Sequence, residues 1–481
     1  VDQTQVTDPA QTANFAAPYL GMTVAQVQSA ISGTKKYSMV AKSAKPAVWR
    51  NLTAAIQSYN AALAKEHFDK RIVGFFAERN YIREYPSGSL VSSLVGFVRQ
   101  DGIGATGIES SMNSKISGTD GRYSYARGLG AEIPGSQNEL VAAKKGTTVR
   151  LTIDRDVQWV AANAIQEAVS KARAVSGTVI VMDPKTGHIL AHATAPTFDP
   201  NNTKTVSESL MRNPSVQDIY EPGSTGKVMT LAAALEEKKI TPETVLTVPY
   251  SIKRGGDTFH DHERHPVQKL TTSGILAVSS NTGTIKIGEM LSNDTLHDYL
   301  SKFGMGKSTG SGLPGESAGI LRPVSDWSGT TAPTVAFGQG YSLTAMQATS
   351  IFATIANDGV RVSPTVIAGT SDASGKFTAS SARTNERAIS ATTAQQLRIM
   401  MESVVSGQGT APSAAVPGYR VAGKTGTAMR FNSELRKYSG YTASFIGFAP
   451  ADAPKYVISV TIQDPKGAYY GGSLGGPVFK K

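Results

Sequence analysis

At 481 residues the chain is too long for one typical hydrophobic core, and its 40% apolar content fits ordinary globular folding in two or more domains rather than disorder. Lys and Arg number 48 against 37 Asp and Glu, and the resulting +11 favours acidic surroundings such as a membrane surface or anionic polymers. The basic residues are scattered, with no dense run and no zinc-finger spacing, so nucleic acid is not expected as a partner; the absence of cysteine removes disulfides, thiolate metal sites and a Cys nucleophile.

Residues 1–147 are expected to form a first, non-catalytic unit. Helical patterns run over 23–31 and 47–64, and a Gly-rich stretch from Gly102 through Gly107-Ile108-Glu109 to Gly121 marks turns between short elements. A second unit, 148–481, opens with the alternating strand pattern Val149-Arg150-Leu151-Thr152-Ile153-Asp154. It passes into a helix with Val157, Val160, Ala161, Ala164, Ile165, Ala168 and Val169 on one face. Residues 177–182 and 188–191 flank Asp183-Pro184-Lys185-Thr186-Gly187 and read as a β-hairpin. Helix-rich sequence follows, and 419–422, 442–448 and 456–462 read as three more strands. An antiparallel sheet drawn from both ends of a unit around a helical middle is an α+β design. No run of 18 apolar residues and no signal-peptide pattern occurs, and the chain opens at Val1 in a polar stretch, so the expectation is an ectodomain whose anchor lies upstream.

Three motifs carry chemistry: Ser224-Thr225-Gly226-Lys227, Ser279-Ser280-Asn281 and Lys424-Thr425-Gly426-Thr427. Each recurs where it can do nothing. Ser32-Gly33-Thr34-Lys35 falls at a helix end, Ser58-Tyr59-Asn60 lies inside a helical stretch, and Lys185-Thr186-Gly187 is a hairpin turn. The weight therefore rests on order and placement. Glu221-Pro222-Gly223 breaks the chain before Ser224, and Val228, Leu231, Ala232 and Leu235 form the stripe of the helix it opens. Lys227 follows one turn later on the same face. Lysine is a base only when neutral, and moving its pKa to near 7 needs about 4 to 5 kcal/mol of differential stabilisation, available from burial and from a second cation such as Lys424. Ser279 can relay protons and Asn281 can hold a carbonyl; helix capping is the plainer reading of both. Lys424 and the hydroxyls of Thr425 and Thr427 suit a carboxylate, and Gly426 removes a side chain where substrate would lie close to the strand.

Together the motifs resemble those of the class B penicillin-binding proteins, the D,D-transpeptidases of bacterial wall synthesis. Arg83-Glu84-Tyr85-Pro86 and Gly107-Ile108-Glu109 resemble parts of that family's pedestal, and Gly338-Gln339-Gly340 resembles a later part of its transpeptidase domain. The resemblance implies that Ser224 is the acylated nucleophile, Lys227 its base, Ser279 and Asn281 the second motif, and Lys424, Thr425 and Thr427 the carboxylate site. The N–H groups of Ser224 and Thr427 would form the oxyanion hole. It implies peptidoglycan stem peptides as substrates, β-lactams as covalent inhibitors, no cofactor, a SEDS-family glycosyltransferase and divisome proteins as partners, and a single-pass anchor with the catalytic domain outside the membrane. The Ser-x-Asn form resembles the cell-division type, with the elongation type as alternative. Because the chain stops soon after Gly475-Gly476-Pro477, a last helix of the domain is expected to be missing.

Two further readings compete. A serine β-lactamase shares the motifs but needs a deacylating carboxylate, and Glu289, the nearest imitation, has the wrong spacing and sits on a helix. A scaffold or antibiotic sensor would not need every motif side chain, and all are intact. His260, His262 and His265 have spacings that could hold zinc, yet Gly255, Gly256 and Pro266 place them in a loop and acyl transfer by Ser and Lys needs no metal.

Overall fold

The computed structural model describes residues 1–63, 70–78, 81–128, 131–133, 135–381, 385–432 and 437–481. By packing, the chain forms two compact units, Val1–Glu84 with Asp120–Ala143, and Tyr85–Thr119 with Lys144–Lys481. Residues 85–119 thus pack within the second unit. The reason lies in polar ties of residues 90–93 to the later chain. Gln158 Nε2 donates to Leu90 O (2.8 Å), Ser92 Oγ meets Thr197 Oγ1 (2.6 Å), and Asn213 Nδ2 donates to Ser93 O (3.1 Å).

In the first unit, α1 (Pro9–Leu20) starts at an Asp8 cap with Pro9 in its first turn, α2 (Val24–Ile31) starts at a Thr23/Gln26 capping box, and α3 is Pro46–Ala62. Their core is Ala13, Ala16, Ala17, Val27, Ile31 and Leu52. Two motif decoys are absorbed here. Ser32 ends α2 with its hydroxyl on Gln28 O, and Asn60, within α3, bonds both the N–H and the C=O of Ile72. Ala64, the expected end of that helix, lies outside the described residues.

In the second unit, Thr148–Leu151 pairs with Ile367–Ser371 in a small sheet, and Asp154 caps α4 (Arg155–Ala172). The main sheet begins with β1 (Ser176–Met182) and β2 (Ile189–Ala195), joined at the expected turn, where Gly187 has φ +73° and Asp183 accepts from the Lys185 N–H. The helical middle supplies α5 (Lys227–Glu236), α6 (Thr272–Ala277), α7 (Asn281–Gly288), α8 (Ala345–Ala356) and α9 (Ala391–Val405). The chain then returns to the sheet with β3 (Ala422–Asn432), β4 (Lys437–Ala449) and β5 (Tyr456–Gln463) and closes with α10 (Gly471–Lys480). The five strands are antiparallel in the order β3-β4-β5-β1-β2, so the sheet is assembled from both ends of the unit and the α+β expectation holds. Val179 to Met182 are buried in succession, which requires cover on both faces of β1. Helices α4 and α10 pack together on the sheet, and α8 packs on β1, β4 and β5.

Two expectations are corrected. The strand expected over 419–422 begins only at Ala422 and runs through the third motif, because Gly423 and Gly426 are buried ladder positions and not breaks; Tyr419 lies in the preceding turn. The final helix thought missing is seen over Gly471–Lys480. Its glycines let it lie directly on β4, where a Cβ at Gly471 would overlap Ser444 O and one at Gly475 would meet Phe445 Cβ.

Helix α5 is the centre of the unit. Lys227 through Leu235 are all buried, and apart from Lys227 and Thr230, whose hydroxyl donates to Ala336 O, these residues are apolar on every face. Leu231 is fully buried, and Leu231→Ala is expected to cost about 2 to 5 kcal/mol. A matching fall in the urea midpoint would confirm this; an unchanged midpoint would show that α5 is not the core element described.

Candidate active site

Ser224 lies in the 3₁₀ turn Gly223–Gly226, which continues directly into α5. In a 3₁₀ turn side chains three apart eclipse, so Ser224 and Lys227 lie in line. The turn is wedged by glycines. Gly338 has φ +98°, its C=O accepts from Gly223 N at 2.8 Å, and a Cβ there would overlap Gly223 O. A Cβ at Gly226 would strike the Tyr341 hydroxyl, and one at Gly426 would press on Pro222 O and Ser444 Oγ. Gly426 thus admits the Ser224 turn against β3, a different reason for its glycine from the substrate approach expected. Glu221 holds the Gly338–Gly340 loop by accepting from Gly340 N at 2.9 Å, and burial pushes its carboxyl upward. Ser224 is partly exposed, and among the described residues nothing hydrogen-bonds its hydroxyl.

Lys227 and Lys424 are both fully buried, and their amines meet at one hydroxyl. Lys227 Nζ donates to Ser279 O (2.5 Å), Asn281 Oδ1 (2.7 Å) and Ser279 Oγ (3.3 Å). Lys424 Nζ donates to Ser279 Oγ at 2.9 Å. Burial holds the Lys227 amine down to about 7, with the Asp261 charge pulling the other way. Burial, and then the neighbouring Lys227, hold Lys424 well below the usual lysine range. Both directions follow from desolvation of a cation and from like charges across a single hydroxyl.

Ser279 sits between α6 and α7, as its spacing predicts, with φ +59°. A serine in that conformation costs about 1 to 2 kcal/mol and persists only where surroundings impose it. Ser280, not Ser279 or Asn281, is the cap of α7, accepting from Gly283 N. That leaves Ser279 and Asn281 free to face the lysines. Asp261 is buried beneath, accepting from the N–H groups of Asn281 and Thr282 and from the Ser280 hydroxyl. Sequence reading passed over it because its partners lie about twenty residues downstream; the only signal was an acidic residue amid the histidines. Those histidines are otherwise engaged. His260 Nδ1 meets Asp261 O (2.8 Å), His262 Nε2 meets the Tyr470 hydroxyl (2.8 Å), and His265 spans Pro266 O and Asp261 Oδ2. Among the described residues no group of three or more His, Cys, Asp or Glu is arranged to hold a metal.

On β3, Thr425 is buried and meets Thr410 Oγ1 at 2.8 Å, Gly426 is buried under the Ser224 turn, and Thr427 stays partly exposed while its hydroxyl accepts from Gly471 N. Tyr441 stacks on Tyr469 at 4.4 Å and Tyr469 packs tilted against Tyr470 at 4.6 Å, giving the rim beside Thr427 an aromatic wall. No sequence signal beyond the Tyr-Tyr pair marked it. Glu289, the candidate water activator, ends α7 and pairs with Arg254.

A hydroxyl at the mouth of a helix, with two dehydrated amines joined through a second hydroxyl behind it, is what acyl transfer through serine requires. The comparisons agree. Residues 177–481 match the family described as penicillin binding protein transpeptidase domain, and residues 75–139 match the penicillin binding protein A dimerisation domain. This chain belongs to the penicillin-binding protein transpeptidase family. It is 41% identical over 415 residues to Penicillin-binding protein PbpB of Mycolicibacterium smegmatis, covering 84% of this chain and 64% of that protein's length. It is 32% identical to Peptidoglycan D,D-transpeptidase FtsI of Escherichia coli, covering 85% of this chain and 67% of that one. The crystal structure of penicillin binding protein 3 from Mycobacterium tuberculosis matches with a TM-score of 0.76 and 38% identity, covering 83% of this chain and 88% of that one, and that protein has also been solved complexed with aztreonam.

Two outcomes are expected. Because the neutral form of Lys227 appears as pH rises through about 7, the rate of Ser224 acylation rises about tenfold per pH unit below that value and levels above it. A rate that stays flat well below neutrality would remove Lys227 as the base. Gly338→Ala must shift Gly223 and with it Ser224, so acylation falls by about 100-fold; an unaltered rate would show that the wedge does not set the position of the nucleophile.

Proposed function

We propose that this chain is the catalytic part of a peptidoglycan D,D-transpeptidase of the cell-division type. The observation that carries the reading is the Ser279 hydroxyl held between two buried amines, one of them Lys227, a turn on from Ser224. Ser224 Oγ attacks the penultimate D-Ala carbonyl of a stem peptide while Lys227 takes its proton. The N–H groups of Ser224 and Thr427 receive the oxyanion, and Thr427 with the Lys424 charge receives the terminal carboxylate. Thr425 acts from behind the strand, within 3.3 Å of Lys424 Nζ. The C–N bond breaks, the proton passes through Ser279 to the leaving nitrogen, and D-Ala departs. Asn281 orients the donor. The amine of a second stem then attacks the ester, its proton returns through the same relay, and Ser224 is regenerated with the cross-link formed.

No carboxylate among the described residues hydrogen-bonds the side chains of Ser224, Lys227 or Ser279, which supports an acyl-enzyme slow to meet water and hence durable acylation by β-lactams. We assign residues 1–147 to the pedestal, with an anchor upstream, and septal wall synthesis beside a SEDS-family glycosyltransferase and divisome proteins as its setting. The FtsI and PbpB relatives support that setting.

Intact-protein mass spectrometry after benzylpenicillin is expected to show one adduct, on the Ser224 peptide, persisting for many minutes and absent in Ser224→Ala. No adduct, or one mapped elsewhere, would defeat the assignment. Rapid loss of the adduct would favour the β-lactamase reading.

A further inference from the structure

Asp261 is 5% exposed, in the loop between the strands Asp257–His260 and Gln268–Thr271. Its Oδ1 accepts from Asn281 N (2.5 Å) and Thr282 N (2.9 Å). Its Oδ2 accepts from Ser280 Oγ (2.6 Å) and meets His265 Nε2 at 3.0 Å. Burying a carboxylate is strongly unfavourable unless its oxygens are met in this way. Three partners are successive residues, 280 to 282, directly after Ser279 with its left-handed backbone. Helix capping alone does not explain the arrangement, since Ser280 already caps α7. The addition is tertiary. Asp261 fixes the backbone of Asn281, and His260 O on the same loop accepts from Asn281 Nδ2 at 3.1 Å, so only Asn281 Oδ1 is left to turn toward Lys227.

We propose that Asp261 is the positioning residue of the second motif: from the His260–His265 loop it clamps residues 280 to 282 and so imposes the Ser279 and Asn281 geometry that joins Lys227 to Lys424. The proposal rests on the reading of Ser224 as the acylated nucleophile. Because Asp261 is buried near Lys227, it also acts on that amine through charge. The groups facing it are His265 on its own loop, Lys227 from α5 and, beyond Ser279, Lys424 from β3. Arg264 lies over the Tyr250 ring and Glu263 within electrostatic reach of Tyr470. The Asp261 carboxylate favours the protonated form of Lys227, and the Pro266 carbonyl and then Asp261 raise His265, whose positive form offsets that influence.

The test is benzylpenicillin acylation across pH, with the rate taken per titrated active site, on the whole chain. Asp261→Asn keeps the shape, removes the charge and replaces one acceptor with a donor. Acylation is expected to slow about 100-fold, and its acid limb to move to lower pH because Lys227 loses the neighbour that favoured its proton. A residue that merely propped the fold would lower the melting temperature and the titrated fraction, leaving rate and limb as in the wild type; that result overturns the proposal. Should Asp261→Asn fail to fold, two variants take its place. Ser280→Ala removes one clamp contact and is expected to slow acylation with the limb unmoved. His265→Asn removes the offsetting cation and is expected to move the limb to higher pH. Wild-type rate and limb in both would overturn the clamp. A wild-type chain that benzylpenicillin does not acylate at Ser224 would instead overturn the functional reading.

Discussion

Two lysine amines share one serine hydroxyl in the buried interior of this protein, and the rest of the structure is arranged around that juxtaposition. Unit charges about 4 Å apart repel by about 4 kcal/mol at an effective dielectric of 20, and burial adds a further penalty to each. The pair therefore cannot hold two protons comfortably near neutrality, and a free amine is the natural state of a residue that would otherwise be charged. No acid-base partner of the usual histidine type is needed.

Holding like charges together requires a scaffold that does not yield, and three separate parts of the chain provide it. Helix α5 carries Lys227 from the middle of the core, the α6–α7 junction carries Ser279, and β3 carries Lys424. Glycines at 226, 338 and 426 let the Ser224 turn, the Gly338–Gly340 loop and β3 close on one another, so that turn has little room for displacement. The Ser279 backbone strain is the residue of that convergence: the junction is shaped by its neighbours and not by its own preference.

Much of this was legible in the chain. Periodicity placed α4 and the hairpin, the breaker at Glu221-Pro222-Gly223 placed the start of α5, and motif order singled out Ser224, Ser279 and Lys424 from their decoys. The illegible parts share a cause: they depend on atoms distant in sequence. Gly423 looked like a strand end because a local reading sees a glycine as punctuation, whereas its reason is the Phe445 ring, and Gly426 answers to the Ser224 turn across from it. The helix Gly471–Lys480 escaped notice because glycine and proline argue against helix locally, while packing on β4 demands small residues. Asp261 escaped for the same reason, since the N–H groups it serves are set beside it by folding.

The position of β3 at the open edge of the sheet has a different consequence. An edge strand presents unpaired backbone groups to any extended chain, the property that drives sheet proteins to self-associate, and most folds blunt or cover it. Here the edge adjoins the Ser224 turn, and although Ala422 to Gly426 are buried, Thr427 and Met429 stay open, so the fold retains a short template for strand addition beside Ser224. A substrate that pairs along such an edge is read by the spacing and handedness of its backbone before its side chains. Catalytic competence and the hazard of aggregation thus share one stretch of main chain, and neither can be engineered without altering the other.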